Sequence, residues 1–117
     1  MENGKVQILD TTLREGEQTP GVSFKISQKI EIVKLLNQFG VDYIEVGHPI
    51  VSKDIYIFIE KVAKLKLNSK IIAHSRVLKS DIDQIIELNV PWIGLFFDIC
   101  EDHLEKKYGV NEKKALE

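Results

Sequence analysis

The sequence predicts an α/β fold built on a parallel sheet. Short apolar runs of strand length alternate with longer segments in which apolar residues recur at helical spacing. The links between these segments are short, and strands that alternate with helices pair in parallel through right-handed crossovers. The strand–helix units recur at roughly 25 to 35 residues, which is the size of the βα units of barrels. We therefore predict the order β-α-β-α-β-α-β, followed by the start of a further helix.

The first strand and the first helix enclose a long polar loop. Residues 6–9 form an apolar run that Asp10 closes, and a polar, glycine-containing loop follows over residues 11–22. Ser27 is placed to cap the N-terminus of the first helix, whose apolar residues recur at helical spacing. Gly40 stands where a helix commonly ends on a left-handed glycine.

The remaining elements repeat this pattern. The last predicted strand is apolar without alternation, as expected of a strand buried on both faces. A fourth helical segment begins at Glu101 or Asp102 and is interrupted near Gly109. The predicted ranges are 42–46, 70–73 and 92–97 for strands two to four, and 52–67 and 79–88 for helices two and three.

Composition and charge exclude several classes of protein. The chain has 117 residues, of which 44% are hydrophobic and 29% charged, and a net charge of −2; these values fit one globular domain of modest size. It has no basic stripe for nucleic acid, no apolar run near the roughly 18 residues of a membrane span, and no apolar core of a signal peptide at its N-terminus. We expect a cytoplasmic protein that binds neither nucleic acid nor membrane.

Polar side chains collect where the predicted strands end. In parallel α/β folds the chemistry lies at the carboxyl ends of the strands, so these side chains are candidates for a site. They are Asp10, Arg14, Glu15 and Gln18 after strand one, Glu45 and His48 at strand two, His74 and Arg76 at strand three, and Asp98 at strand four.

Glu45 interrupts an apolar strand. A carboxylate inside a barrel strand is costly unless it is paired, and a guanidinium is its natural partner. Arg14 is the nearest candidate along the rim of strand ends. A position facing solvent on an edge strand explains Glu45 equally well, and the pattern alone does not separate the two.

The same rim contains groups that bind metal ions elsewhere. Asp10 and Glu15 offer hard oxygen ligands, and His48 and His74 offer imidazole nitrogens. Because two histidines and several carboxylates occur on many α/β rims, the pattern by itself favours an ordinary polar rim over a metal site.

Residues 9–21, LDTTLREGEQTPG, resemble the signature of the family that contains isopropylmalate, homocitrate and citramalate synthases. That family belongs to a wider group of TIM-barrel enzymes, with lyases and carboxylases among them, named for an Asp/Arg/Glu constellation. The later strand ends match as well, so the resemblance covers the whole chain. It implies that residues 1–117 are the N-terminal half of a (β/α)8 barrel, about the first four βα units, and that the rest of the catalytic domain is absent.

The resemblance also implies roles for individual residues. Arg14 is the catalytic arginine facing the carbonyl and enolate oxygens of the substrates, and Glu45 is the carboxylate that holds it. Glu15 occupies the position of a ligand to a divalent metal, which would be Mg²⁺, Mn²⁺ or Zn²⁺. Gln18 lies near the 2-oxo acid.

His74 bears on the choice of 2-oxo acid. It resembles the histidine that contacts the distal carboxylate in archaeal homocitrate synthases, where isopropylmalate synthases tend to place an apolar residue. Imidazole supplies the donor that a second carboxylate requires. Arg76 is a second candidate for that carboxylate, and the element at residues 47–49 also resembles the archaeal type. The alternative is a rim histidine satisfied by the backbone.

The implied reaction condenses acetyl-CoA with 2-oxoglutarate to homocitrate, in lysine biosynthesis by the aminoadipate route. The enzyme class is a C-acyltransferase that converts the acyl group to an alkyl group on transfer. The alternative within the family is a 2-isopropylmalate or citramalate synthase of leucine and isoleucine biosynthesis.

The chain departs from the family in one respect. The other metal ligands of the family are a His-x-His pair on a late strand, whereas the three histidines here are His48, His74 and His103. We therefore expect the 117-residue chain to be inactive alone. A non-enzymatic hypothesis is a half-barrel that forms a homo-oligomer or complements another half-barrel through its open sheet edges.

Overall fold

Four parallel strands form one open sheet in the order β1-β2-β3-β4. The structure is a computed structural model that describes residues 4–98, 100 and 104–115. It confirms the predicted alternation of strands and helices. The elements are β1 Leu9–Asp10, α1 Ile26–Phe39, β2 Tyr43–Glu45, α2 Lys53–Ala63, β3 Lys70–Arg76, α3 Lys79–Glu87, β4 Trp92–Phe96 and α4 Glu112–Ala115, with a 3-10 turn at Gly16–Gln18 and a π-helical turn at Leu104–Tyr108.

Two helix boundaries follow from their capping groups. The Ser52 hydroxyl accepts from Ile55 N at 3.2 Å and so begins α2. At the end of α1, Gly40 has a φ of 94° and donates its N–H to Leu36 O, as the sequence predicted. The predicted N-cap Ser27 was wrong: α1 begins at Ile26 with Lys25 as its N-cap, and the Gln28 side chain accepts from Lys25 N at 2.9 Å.

The edges of the sheet depart from the predicted strands. The predicted strand at 6–9 is reduced to Leu9–Asp10, and Val6 is 84% exposed. Strand β4 was predicted to be buried on both faces, but Trp92, Leu95 and Phe96 are exposed. Both corrections have the same cause: β1 and β4 are the outer strands, so each has a neighbour on one side only among the described residues.

The fourth helical segment is only partly described. Its predicted start at Glu101 or Asp102 lies outside the described residues. The predicted interruption is confirmed, since the π-helical turn ends at Gly109, which has a φ of 63°, and α4 follows it. No helix in the described ranges is long and apolar enough to cross a membrane.

One face of the sheet is covered by the helices and forms the core. Side chains alternate between faces along a strand, and on β3 the buried positions are Ile71, Ala73 and Ser75. They pack with fully buried residues of β2 and the helices, among them Ile44 and Phe58.

The opposite face of the sheet, which we call the open face, has another composition. The Tyr43 and Trp92 rings meet edge to face at 5.7 Å, and Lys70 Nζ lies 5.1 Å from each ring centroid. Further along the strands towards their carboxyl ends, Glu45 and His74 occupy the same face. The sheet therefore presents its polar groups on the face that no described helix covers.

Candidate active site

A buried carboxylate joins the ends of β1, β2 and β3. Glu45 is 4% exposed, and Arg14 Nε donates to its Oε2 at 2.7 Å. His74 Nε2 lies 2.6 Å from Oε1 of the same carboxylate. Of the two alternatives that the sequence left open for Glu45, the structure shows the paired one. Both oxygens of the buried group have a partner, which offsets the cost of removing it from water.

The pairing keeps Glu45 and Arg14 charged. Burial by itself acts to raise the pKa of Glu45, but the hydrogen bonds from His74 and Arg14 together outweigh it and lower that pKa. Burial likewise acts to lower the pKa of Arg14, and the carboxylates of Glu45 and Glu15 more than reverse this. A fixed positive charge is thus held at the end of the sheet.

The polar loop after β1 places Arg14 over the strand ends. The Asp10 carboxylate accepts from Thr12 N at 3.0 Å and from Thr12 Oγ1 at 3.1 Å, which closes the turn. Leu13 is 2% exposed and anchors the loop in the core, and Arg14 N donates to Thr11 O. Asp10, which was a candidate oxygen ligand, serves in this structure as the group that shapes the turn.

The donor nitrogen of His74 is committed to Glu45. An ionised carboxylate only accepts hydrogen bonds, so Nε2 carries a hydrogen in this contact. Nδ1 is buried and has no hydrogen-bond partner among the residues that the structure describes. The ring also lies 5.0 Å from the ring of Phe96, which in turn lies 5.4 Å from the Arg14 guanidinium carbon.

Glu15 reaches the same arginine from the solvent side. Its Oε1 is 2.5 Å from Arg14 Nη1, and its side chain is 54% exposed. Within the described ranges, no group of three or more His, Cys, Asp or Glu residues is arranged to hold a metal ion. The described residues therefore do not by themselves fit the divalent metal that the family resemblance implies. Glu15 offers one carboxylate, and its role as a ligand stays a prediction.

A cleft of about 700 Å³ opens above the strand ends. Arg14, Glu15, Gln18 and His74, four of the predicted site residues, line it together. Glu45 lies beneath Arg14 and His74 as their shared partner. The volume falls in the range of small-molecule sites.

Arg76 stands apart from that cleft, although sequence reasoning assigned it to the substrate. Its Nε and Nη2 donate to the two carboxylate oxygens of Asp81 at 2.7 and 3.2 Å. The buried Asp81 also lies 3.5 Å from His48 Nε2, which lines the cleft. Hydrogen bonding from Arg76 lowers the pKa of Asp81, whereas burial lowers the pKa of His48 despite the neighbouring carboxylate. Sequence reasoning had not identified Asp81.

A buried lysine was also missed. Lys29 is 5% exposed, and its Nζ is 2.5 Å from Glu17 Oε2 and 5.5 Å from the Phe58 ring centroid. Glu17 Oε1 accepts from Phe24 N at 3.2 Å, so the pair ties the polar loop to α1. The signal was present in the sequence, because Lys29 falls four residues before Val33 on the apolar stripe of α1.

Comparison with known proteins finds relatives that are named homocitrate synthase. The chain is 49% identical over 110 residues to the homocitrate synthase of Pyrococcus horikoshii, and 50% identical over 116 residues to that of Sulfurisphaera tokodaii. A third homocitrate synthase, from Pyrococcus abyssi, is 46% identical over 110 residues. These alignments cover 94 to 96% of this chain but only 25 to 30% of each relative.

The family assignment covers nearly the whole chain. The profile of the family described as HMGL-like matches residues 5–117. Its TIM-barrel fold accounts for the four parallel strands as about half of a barrel opened along two edges. The chain belongs to the HMGL-like family.

Proposed function

We propose that this chain supplies the 2-oxo-acid end of an active site that condenses acetyl-CoA with 2-oxoglutarate to homocitrate. The observation that carries the proposal is Arg14, held by the buried Glu45 at the wall of a cleft that Gln18 and His74 also line. The homocitrate synthase names of the relatives support the choice of reaction. Since the chain spans 25 to 30% of those relatives, the remaining machinery belongs to sequence outside it.

Arg14 acts on the charge that develops during the condensation. A base outside this chain takes a methyl proton from acetyl-CoA, the resulting carbon attacks the ketone carbon of the 2-oxo acid, and the ketone oxygen becomes an alkoxide that is then protonated to the hydroxyl of the product. A preorganised cation stabilises that oxygen more in the transition state than in the ground state. Glu45 fixes the orientation of the guanidinium through Nε, and Glu15 accepts from Nη1, so two carboxylates hold the guanidinium at the wall of the cleft. Hydrolysis of the thioester by water then releases CoA and homocitrate.

His74 is the proposed contact for the second carboxylate of 2-oxoglutarate. Because Nε2 already faces Glu45, the contact requires the imidazolium form, in which both nitrogens donate. Nδ1, which has no partner among the described residues, is then the donor to the substrate. Gln18 lies on the same wall and is proposed to bind near the 2-oxo group. Arg76 would have to leave Asp81 to reach that carboxylate, so we place it second to His74.

The test uses the chain alone and in a chimaera. Mixed with acetyl-CoA, 2-oxoglutarate and Mg²⁺ or Mn²⁺, the 117-residue chain is expected to release no CoA above background. In the chimaera, these residues replace the matching segment of the Sulfurisphaera tokodaii relative. We expect turnover of 2-oxoglutarate to exceed that of 2-oxoisovalerate and pyruvate, and His74→Leu to reduce only the dicarboxylate reaction. A preference for 2-oxoisovalerate or pyruvate would favour the isopropylmalate or citramalate alternative instead.

A second candidate function is association through the open sheet. Large apolar side chains are exposed at both outer strands, including Ile8 and Leu9 at β1 and Trp92 and Leu95 at β4. Exposed apolar edges of this kind pair with another chain unless they are covered. Light scattering on the isolated chain is expected to show a dimer. A monomer that binds little hydrophobic dye would count against this function.

A further inference from the structure

We propose that Gly94 is a positioning residue for His74: the bare backbone of β4 lets the imidazole lie flat against it, with Nε2 directed at Glu45. The meaning of this arrangement for substrate binding rests on the proposed function. The positioning itself rests on the geometry of the described residues alone.

The two residues are direct neighbours in the sheet. His74 on β3 is in register with Gly94 on β4. A Cβ added to Gly94 would lie 2.8 Å from Cε1 of the imidazole, 3.0 Å from Nδ1 and 3.2 Å from Nε2. The 2.8 Å contact with Cε1 is shorter than two carbon atoms tolerate, so an alanine side chain at residue 94 would require the ring to move.

The ring has little room to withdraw. Its side chain is 12% exposed, its Nε2 lies 2.6 Å from Glu45 Oε1, and the Phe96 ring lies 5.0 Å away. Moving the imidazole away from β4 therefore stretches or breaks the bond to Glu45. Because Glu45 also holds Arg14, the disturbance would reach the arginine through the shared carboxylate.

Backbone conformation does not explain why residue 94 is a glycine. The glycines with positive φ in the described ranges are Gly4, Gly21, Gly40, Gly47 and Gly109, and Gly94 is not among them. Glycine inside a strand costs conformational entropy and has no side chain to pack, so alanine should be the better residue there. The space that the imidazole occupies is the remaining reason for glycine.

The position of the imidazole against β4 determines whether a substitution at Gly94 stabilises or destabilises the chain. In the 117-residue chain, Gly94→Ala is expected to lower the urea midpoint of unfolding. In a His74→Ala background the same change should raise the midpoint or leave it unaltered, because the obstructing ring is gone. Gly16→Ala is the spatial control: an added Cβ there meets only Thr12, at 3.5 Å or more. Its midpoint should not fall.

A spectroscopic readout follows the ring directly. Nitrogen-detected NMR of the imidazole should show the His74 ring of the parent chain with its hydrogen on Nε2. Gly94→Ala should abolish that signature, while a substitution at the exposed Lys34 leaves it intact. If Gly94→Ala alone fails to fold and the double variant folds, the proposal is supported.

Equal destabilisation by Gly94→Ala with and without the His74 ring would overturn the proposal, as would an unchanged imidazole signature in Gly94→Ala. These outcomes are separate from the proposed function. If His74→Leu leaves the substrate preference of the chimaera unchanged, the role of His74 fails while the positioning by Gly94 stands.

Discussion

The two faces of the sheet differ in what covers them and in the side chains that they present. The covered face packs against the helices through apolar side chains, and Ile44 of β2, Phe58 of α2 and Ile85 of α3 are fully buried there. The open face carries Glu45 and His74, together with aromatic rings that remain partly exposed. Stability therefore depends mainly on the covered face, whereas the charged groups of the open face must satisfy one another. The Arg14–Glu45–His74 network is the result of that requirement.

Truncating one phenylalanine on each side of the sheet should give the largest difference in stability between the covered face and the open face. Phe58, on the inner side of α2 in the core of the covered face, is 0% exposed, and Phe96 at the end of the open face is 55% exposed. Truncating a buried phenylalanine to alanine costs about 3–5 kcal/mol, whereas exposed substitutions usually change stability by about 0.5 kcal/mol. We expect Phe58→Ala to unfold at much lower urea than Phe96→Ala. Similar urea midpoints for the two variants would break the distinction between the faces.

The Glu17–Lys29 ion pair tests how a charge is tolerated beside the core. Lys29→Met removes one partner of a largely buried pair, which costs about 3 kcal/mol when the other charge is left behind. We expect Lys29→Met to be clearly destabilised in urea. Adding Glu17→Gln should restore part of that loss, because the uncompensated carboxylate is then gone. A double variant as unstable as the sum of the two single variants would show that the charges are not coupled.

The smallest expected effect is a pH dependence of the stability of the fold that arises from Glu45. Its pKa in the folded chain is lowered, so the unfolded chain binds a proton more readily and ionised Glu45 favours the folded state. That stabilisation is fully present above the ordinary glutamate pKa of about 4.3 and is lost as pH falls through the lowered pKa. Relative to Glu45→Gln, the parent chain should lose its advantage only on acidification. An advantage independent of pH would contradict the ionised pairing.

The strand ends could be predicted from the sequence, and so could Arg14 as one candidate partner of Glu45, but the contact between Glu45 and His74 could not. Asp10 and Glu45 are the last residues of β1 and β2, as the carboxyl-end rule for parallel strands predicts, whereas His74 lies inside β3, which continues to Arg76 beyond its predicted end. Pairing is a tertiary property, since Arg14 and Glu45 are separated by 31 positions and only the folded loop brings them together. The role of Gly94 was hidden for the same reason, because it depends on the neighbouring strand.

The errors in the predicted fold also have local physical causes. Sequence patterns report the environment that a strand has in its complete sheet, so β4 looked buried although Trp92 and Phe96 are exposed here. The N-terminus of α1 was misplaced because Gln28, not Ser27, supplies the capping group. The buried Lys29 was predictable from its place on an apolar stripe, but its partner Glu17 lies in the 3-10 turn of the polar loop, which the sequence pattern did not predict.

Turnover of the chimaera shows directly whether Arg14, held by Glu45, acts on the charge that develops in the condensation. Arg14→Met is to be compared with the parent chimaera and with Lys34→Met, which removes a positive charge from an exposed position of α1. Loss of a preorganised donor to an oxyanion costs about 10²–10³ in kcat. We expect that loss for Arg14→Met and near-parental kcat for Lys34→Met. A folded Arg14→Met chimaera that retains near-parental kcat would show that Arg14 does not stabilise that charge.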